Sequence, residues 1–345
     1  MRTILLNSGP IVHLQSGSDT EPLCGEKMYD TESLISDKGR GMVIEGGLIT
    51  NITDSESIQD EWCPGFHTED LLEPKFSQDG ENMIIDISGC AIIPGLIDAH
   101  THLLWSGDRS REIRWKQHGK SYKEIAERGG GITHTVKSTR NSTDEELLRL
   151  GMERMKQALS FGTTCMEVKS GYGLSTEHEL RLLRLSNTLA AIDEYPALDI
   201  TWLGAHSTPP SETGKNSQIS REEYVEELIS EQLPQIKQQQ IARSADVFCE
   251  PGWFTLDETE RICKESIAAG LAVRLHVDEF SDSGGANLAG ELKATTADHV
   301  LYSNDEGRAH CAKSGTIQGF LPGTPYVMGL EDWPPINECI KNEWP

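Results

Sequence analysis

The chain has 345 residues, with 55 Asp and Glu against 31 Lys and Arg and a formal net charge of −24. That balance, with a sequence pI near 4.8, argues against nucleic acid or an anionic membrane as partner, because most of the surface would repel phosphate. The length accommodates one barrel-sized domain plus a smaller one. Eight cysteines are scattered without a Cys-x-x-Cys pair, so neither a disulfide framework nor a structural zinc ribbon is expected.

The opening MRTILLNSGP carries too short an apolar run for a secretory signal, and no stretch approaches the roughly 20 apolar residues of a membrane span. The expectation is a soluble, cytoplasmic protein. Residues 1–93 read as a small β-rich, sandwich-like domain. Short β-like runs (TILLN, MVIEGGLITNI, NMIIDI) are separated by polar turns, and the Gly46-Gly47 pair between Ile44 and Leu48 marks a hairpin. TDSESIQD and the following EWCPGFHTEDLLEPKFSQDGE read as long surface loops.

From Pro94 to Pro345 the pattern changes to short apolar strands alternating with longer helical segments. The strand candidates are GLIDAHTH, TTCMEVKS, LDITWLGAH, ADVFCE, LAVRLHV, TADHVL and TIQGFL. Thr143 with Glu146, Thr176 with Glu179, and Thr255 with Glu258 give the S/T-x-x-E signature of a helix start, and Gly162 and Gly270 stand where helices stop. Seven βα units in succession imply a parallel sheet and favour a (β/α)8 barrel, with an open doubly wound sheet as the alternative. The count stops at seven: a helical stretch around PPINECIKN follows, and EWP stands where an eighth strand would begin. A gap between the first and seventh strands would expose two edges, so the reading is a barrel cut short before strand eight.

In such a barrel, catalytic groups come from the C-terminal ends of several strands. His100 and His102 close the first candidate, Lys169 to Tyr172 the second, and His206 the third. Cys249 and Glu250 close the fourth, His276 and Glu279 the fifth, and Asp298 and His299 the sixth. In PGLIDAHTHLLW the two histidines at i and i+2 of a strand would face one space. Two neutral imidazoles suit zinc or iron, but a catalytic ion takes at least three protein ligands and keeps a position for water. Singly, each residue has a plain explanation. A lone His-x-His is more often incidental, His206 or His299 a satisfied core histidine, Tyr172 a turn residue between glycines, and Arg109 a surface charge beside Arg111 and Arg114. Five of eleven histidines at strand ends is the signal that surface composition does not produce.

PGLIDAHTHL resembles the first-strand signature of the amidohydrolase superfamily. SGDRSREI, GGGITHTVKSTR, EVKSGYGLSTEHELRLLR, LGAHSTPP, DVFCEPGWF and ADHVLYS are similar to its branch that opens an imidazolone ring in histidine degradation. The similarity runs from about Ile44 to the last residue. It implies one zinc or iron ion held by His100, His102 and His276, with an aspartate at the end of an eighth strand, and a homodimer acting on a small molecule. Dinuclear relatives carry a bridging lysine or carboxylate on strand four; here Cys249 and Glu250 stand there, and Glu250 as a second-metal ligand is a further reading.

The implied reaction is hydrolysis of 4-imidazolone-5-propanoate to N-formimidoyl-L-glutamate. In it Glu279 would shuttle the proton, and His299 or His206 would bind the developing oxyanion as donor. Arg109 would hold the substrate carboxylate, and Tyr172 would supply a hydroxyl and an aromatic wall. The segment Trp105–Arg140 would lie over the site as a lid. Two alternatives stand beside this: a deaminase acting on a nucleobase-like ring, and a catalytically silent metal-binding remnant that lacks the eighth-strand aspartate.

Overall fold

A computed structural model describes residues 1–13, 22–66, 72–77, 80–119, 124–125, 128, 130–210 and 219–345. It divides into two compact units, Met1–Pro94 and Gly95–Pro345. In the first unit the strands are β1 (Arg2–Leu6), β2 (Ile11–Val12), β3 (Ile35–Ser36), β4 (Arg40–Glu45), β5 (Leu48–Asp54), β6 (Lys75–Phe76) and β7 (Asn82–Asp86). Five of them form one sheet in the order β5-β4-β1-β7-β6, and β2 pairs with β3 in a separate ribbon. The β4–β5 hairpin closes with Glu45 opposite Leu48. Its two loop residues, Gly46 and Gly47, have φ of 60° and 81°, the left-handed pair that a two-residue hairpin needs and that glycine adopts without strain.

Two expectations for this unit are corrected. TDSESIQD is not a loop, because Ser55–Trp62 is a helix. The buried side chains of Ile4, Leu6, Val43, Ile58 and Ile84 form one cluster with Trp62 against it, so the core lies between a sheet and a helix where sandwich-like packing was expected. The only sequence signal was Ile58 and Trp62, four residues apart and so on one helix face. Gly41 on β4 admits the helix, since a Cβ there would stand 2.9 Å from Ile58 Cγ1. The rest of the supposed loop region includes residues 67–71 and 78–79, outside the described residues.

The second unit is built on β8 (Leu96–Asp98), β9 (Thr163–Lys169), β10 (Ala197–Ala205), β11 (Ser244–Cys249), β12 (Ala272–Val277), β13 (Thr296–His299) and β14 (Ile317–Gly319). They form a single seven-stranded sheet in strict sequential order, every pair parallel. A doubly wound sheet reverses its order at a switch point; this one does not, and that alternative is set aside. Among the described residues no strand pairs with the outer edge of β8, where Ile97 is 72% exposed. On the outer side of β14 the Gln318 N–H donates to the carbonyl of Pro345 at 3.1 Å. Apolar residues of the strands pack against the helices that follow them, with Trp202, Tyr224, Ile262 and Leu275 in one cluster and Leu104, Leu147, Val168 and Leu182 in another.

The helix starts follow the sequence in two cases of three. Thr143 accepts from the Glu146 N–H, and Thr255 with Glu258 makes the complete reciprocal box. The third is corrected: Ser175, not Thr176, caps its helix by accepting from the His178 N–H, and Glu179 turns inward for another purpose. Gly162 and Gly270, with φ of 92° and 96°, end their helices as the left-handed stop requires. No helix among the described residues is long and apolar enough to cross a membrane.

Ile58→Ala tests the corrected helix. Truncating a fully buried isoleucine is expected to lower the urea-unfolding free energy by about 2–5 kcal/mol; a loss under about 0.5 kcal/mol would mean that Ser55–Trp62 does not pack on the sheet.

Candidate active site

Strand β8 stops at Asp98, so His100 and His102 stand on the segment just beyond it rather than on the strand. They still converge, with ring centroids 5.5 Å apart, and His276, one residue before the end of β12, meets them at 4.4 and 5.6 Å. One ligand atom from each of the three lies within 4.8 Å of the others. His102 Nδ1 and His276 Nε2 are buried with no hydrogen-bond partner. Buried polar atoms are ordinarily paired, so orphaned imidazole nitrogens in a cluster of three fit a metal ion of the borderline type that nitrogen donors hold.

The outward nitrogens of two of these rings are fixed by carboxylates. His276 Nδ1 donates to Asp246 Oδ1 at 3.0 Å, and His100 Nδ1 donates to Asp298 Oδ2 at 2.8 Å. Each bond puts the proton on Nδ1 and the lone pair on Nε2, the carboxylate–histidine arrangement of metal sites. Burial, then the neighbouring His276 and Lys169, holds His100 well below its ordinary range; burial and then His206 do the same for His102. Lys169 is fully buried beneath them, with Nζ 2.6 Å from Asp246, 2.9 Å from Glu167 and 3.6 Å from Asp298.

A cavity of about 400 Å³ opens over the histidines, lined by eight of the residues singled out from the sequence: His100, His102, Arg109, Tyr172, His206, His276, Glu279 and His299; Lys169, Cys249, Glu250 and Asp298 do not line it. Phe248, Trp253 and Phe280 supply its aromatic wall. The segment Trp105–Arg140 contributes Arg109, Lys116 and Ile132 to the lining; its residues 120–123, 126–127 and 129 lie outside those described. Arg109 is held in plane by Glu112, which accepts from Nε and from a terminal nitrogen, each at 2.9 Å.

The two remaining histidines differ in what they offer. His206 Nδ1 lies 3.0 Å from the Gly171 carbonyl, which only accepts, so the proton sits on Nδ1 and the neutral ring presents Nε2 as an acceptor. Burial, then His276, lowers its pKa to about 3. The donor role expected for His206 is therefore corrected to that of an acceptor. His299 Nε2 faces Glu279 Oε2 at 3.5 Å, and burial followed by the neighbouring His276 keeps it well below 6.5. Burial pushes Glu279 up to about 7.

Glu250 stands apart from the cluster of three histidines. It accepts from the backbone N–H groups of Glu279 and Phe280, and no carboxylate joins the three histidines among the described residues. The second-ligand reading is not what the geometry gives; Glu250 holds the loop that carries Glu279. Glu179 does the same for Tyr172. Wholly buried, it accepts from the N–H groups of Gly171, Gly173 and Leu174 at 3.0, 2.7 and 2.7 Å, while Arg140 donates to the carbonyls of Gly173 and Leu174 at 2.7 and 2.9 Å. The sequence signal for Glu179 was present and read as a helix cap; Asp246, inside the apolar run ADVFCE, gave none.

Sequential βα units whose strand ends gather histidines around a metal-sized gap define the amidohydrolase class, and solved structures agree on the fold. A Xaa-Pro dipeptidase matches at a TM-score of 0.58 and 14% identity, covering 99% of this chain and 73% of its own. A zinc-bound adenosine deaminase from Xanthomonas campestris matches at 0.57 and 13%, covering 99% and 66%. Sequence relatives are more specific: the imidazolonepropionase of Symbiobacterium thermophilum is 38% identical over 94% of this chain and 70% of its own length. That of Geobacillus kaustophilus is 37% identical over 95% and 72%, and that of Thermoanaerobacter pseudethanolicus 43% over 71% and 57%. The chain belongs to the imidazolonepropionase family. It spans about three fifths to three quarters of the length of these relatives. No family model matches it.

Glu179→Ala leaves three buried N–H groups without an acceptor, at about 1–3 kcal/mol each if none finds water. The variant is expected to unfold at lower temperature, and the amides of Gly171, Gly173 and Leu174 are expected to exchange with deuterium at least tenfold faster. Unchanged exchange at those three amides would show that the carboxylate does not hold the loop.

Proposed function

We propose that this chain hydrolyses 4-imidazolone-5-propanoate to N-formimidoyl-L-glutamate, with water adding to the ring carbonyl and the adjacent ring C–N bond breaking. The observation that carries the reading is the convergence of His100, His102 and His276 under a cavity that also holds Glu279, His299 and Arg109. The names of the relatives favour ring opening, whereas the deaminase alternative rests on a fold match at 13% identity. We read the curled sheet as belonging to a (β/α)8 barrel, on the strength of seven parallel strands in sequential order with helices between them.

His100, His102 and His276 would hold one zinc or iron ion. When bound, such an ion supplies Lewis-acid polarisation and lowers the pKa of water to about 7. The chain's own groups do the rest. Glu279 takes a proton from water and returns it to the departing ring nitrogen, a task for a carboxyl group whose burial brings its pKa to about 7. His299 donates from Nε2 to the carbonyl oxygen as negative charge develops there. His206, with Nε2 as acceptor, takes a ring N–H and so orients the heterocycle. Arg109, its plane set by Glu112, pairs with the propanoate carboxylate. Tyr172 and the aromatic wall cover the ring.

Two variants test the roles separately. Glu279→Gln is expected to bind metal as the parent does while kcat for imidazolone opening falls about 10²–10⁴-fold; a kcat within threefold of the parent would remove Glu279 from the proton path. Arg109→Met is expected to raise KM at least tenfold with kcat within a few-fold, and an unchanged KM would place the substrate carboxylate elsewhere.

A further inference from the structure

Lys169 takes no part in the mechanism above, yet it is the largest fully buried charged side chain in the molecule among the described residues. It lies at the end of β9, where its ammonium touches carboxylates from β11 and β13 as well as Glu167 of its own strand. Two of those carboxylates are the ones that fix metal-site histidines: Asp246 uses Oδ2 for Lys169 and Oδ1 for His276, and Asp298 Oδ2 faces both Lys169 and His100. Asp246 and Asp298 are 2% and 1% exposed, so the ammonium rather than bulk water balances their charge.

We infer that Lys169 is a positioning residue for the metal centre, one ammonium that aims two of the three metal-binding imidazoles by fixing the carboxylate behind each. Three features support this over a purely structural ion pair. The ammonium's donors go to carboxylates rather than to backbone carbonyls, and both aspartates spend their other contact on a histidine. The neighbouring strand also makes room for the arrangement: a Cβ on Gly319 of β14 would stand 2.3 Å from Asp298 Oδ1. The shortest bond of the group, 2.6 Å to Asp246, is the geometry of a charge-assisted contact. Without the ammonium, two buried carboxylates would repel each other and turn away, taking the Nδ1 bonds of His100 and His276 with them.

The inference rests on the metal-site reading of the proposed function, and the experiment separates the two. Zinc affinity is measured by chelator competition on the full chain, beside His276→Ala, Lys169→Met, Glu167→Gln and the double variant Glu167→Gln/Lys169→Met. The double variant removes the ammonium together with the carboxylate that touches neither histidine, so the net buried charge is unchanged and Glu167 is not left as a further unpaired anion. The parent is expected to bind one equivalent and His276→Ala to lose it. The double variant is expected to keep the parent's circular dichroism but to bind about 10–100-fold more weakly, as loss of an outer-shell partner does, and its cobalt-substituted form to show an altered visible spectrum. Glu167→Gln alone is expected to stay within threefold of the parent. A folded double variant with parental zinc affinity and cobalt spectrum would overturn the role of Lys169 while leaving the metal site standing; a parent that binds no zinc or cobalt would overturn both.

Discussion

Imidazoles can be brought to within 4.8 Å of one another in a buried site only if they are uncharged and only if something outside the cluster holds their remaining protons. For His100 and His276 the second condition is met by buried carboxylates. Burial disfavours the imidazolium, each ring disfavours protonation of the next, and His100, His102, His206 and His299 are all driven below their ordinary range. Asp246 and Asp298 then accept the outward Nδ1 protons of His276 and His100, which leaves lone pairs facing inward. Carboxylates this deeply buried are themselves unstable without a cation, and Lys169 is that cation. The arrangement therefore runs from one ammonium through two carboxylates to two imidazoles, and the parallel sheet makes it possible. Strands β9, β11, β12 and β13 each present a member, with His276 of β12 opposite Asp298 of β13 in register.

The backbone around this site is less relaxed than the sheet that carries it. Asp278, His299 and Val300 have φ of 51°, 74° and 43°, and such left-handed positions cost about 1–3 kcal/mol each for residues with a Cβ. The turns are over-determined by bonding. Asp278 accepts from the N–H groups of Ser283, Gly285 and Ala286 and from the hydroxyls of Ser283 and Ser303, and its own carbonyl takes the Tyr302 N–H. A single wholly buried carboxylate thus ties the turn after β12 to the turn after β13. The first turn carries Glu279 and the second follows His299, the last residue of β13; their side chains face each other at 3.5 Å. Strain held this way keeps the two groups aimed at the cavity without help from a substrate.

Much of this was legible from residue order because the physics involved is local. Alternating apolar runs and helix caps gave the seven βα units, and the clustering of histidines at strand ends pointed at the site before any geometry was known. What stayed hidden depends on which atoms meet across the sheet. Asp246 sits in ADVFCE, where a single acid in an apolar run looks like an error in the pattern rather than a histidine's partner. Glu179 looked like the third residue of a helix cap, since nothing in TEHE says that its carboxylate turns back to three amides of the preceding loop. The acceptor state of His206 follows from one carbonyl, that of Gly171, supplied by a different strand end. The helix Ser55–Trp62 was missed for a milder reason: its two apolar residues, four apart in a polar stretch, make a stripe too short to stand out.

The carboxylates of the site divide by what faces them, and the division matches their work. Asp246, despite a burial penalty, is driven well below its ordinary range by His276 and Lys169, which suits it to holding an imidazole still. Glu279 and Glu250 have burial without a close cation of that kind and are pushed up to about 7. Glu250 uses its charge on backbone amides of the Glu279 loop, so the two acids differ in access rather than in chemistry. Only Glu279 reaches the cavity. One fold therefore keeps Asp246, set between Lys169 and His276, suited to positioning, and leaves Glu279 nearer neutrality for proton transfer.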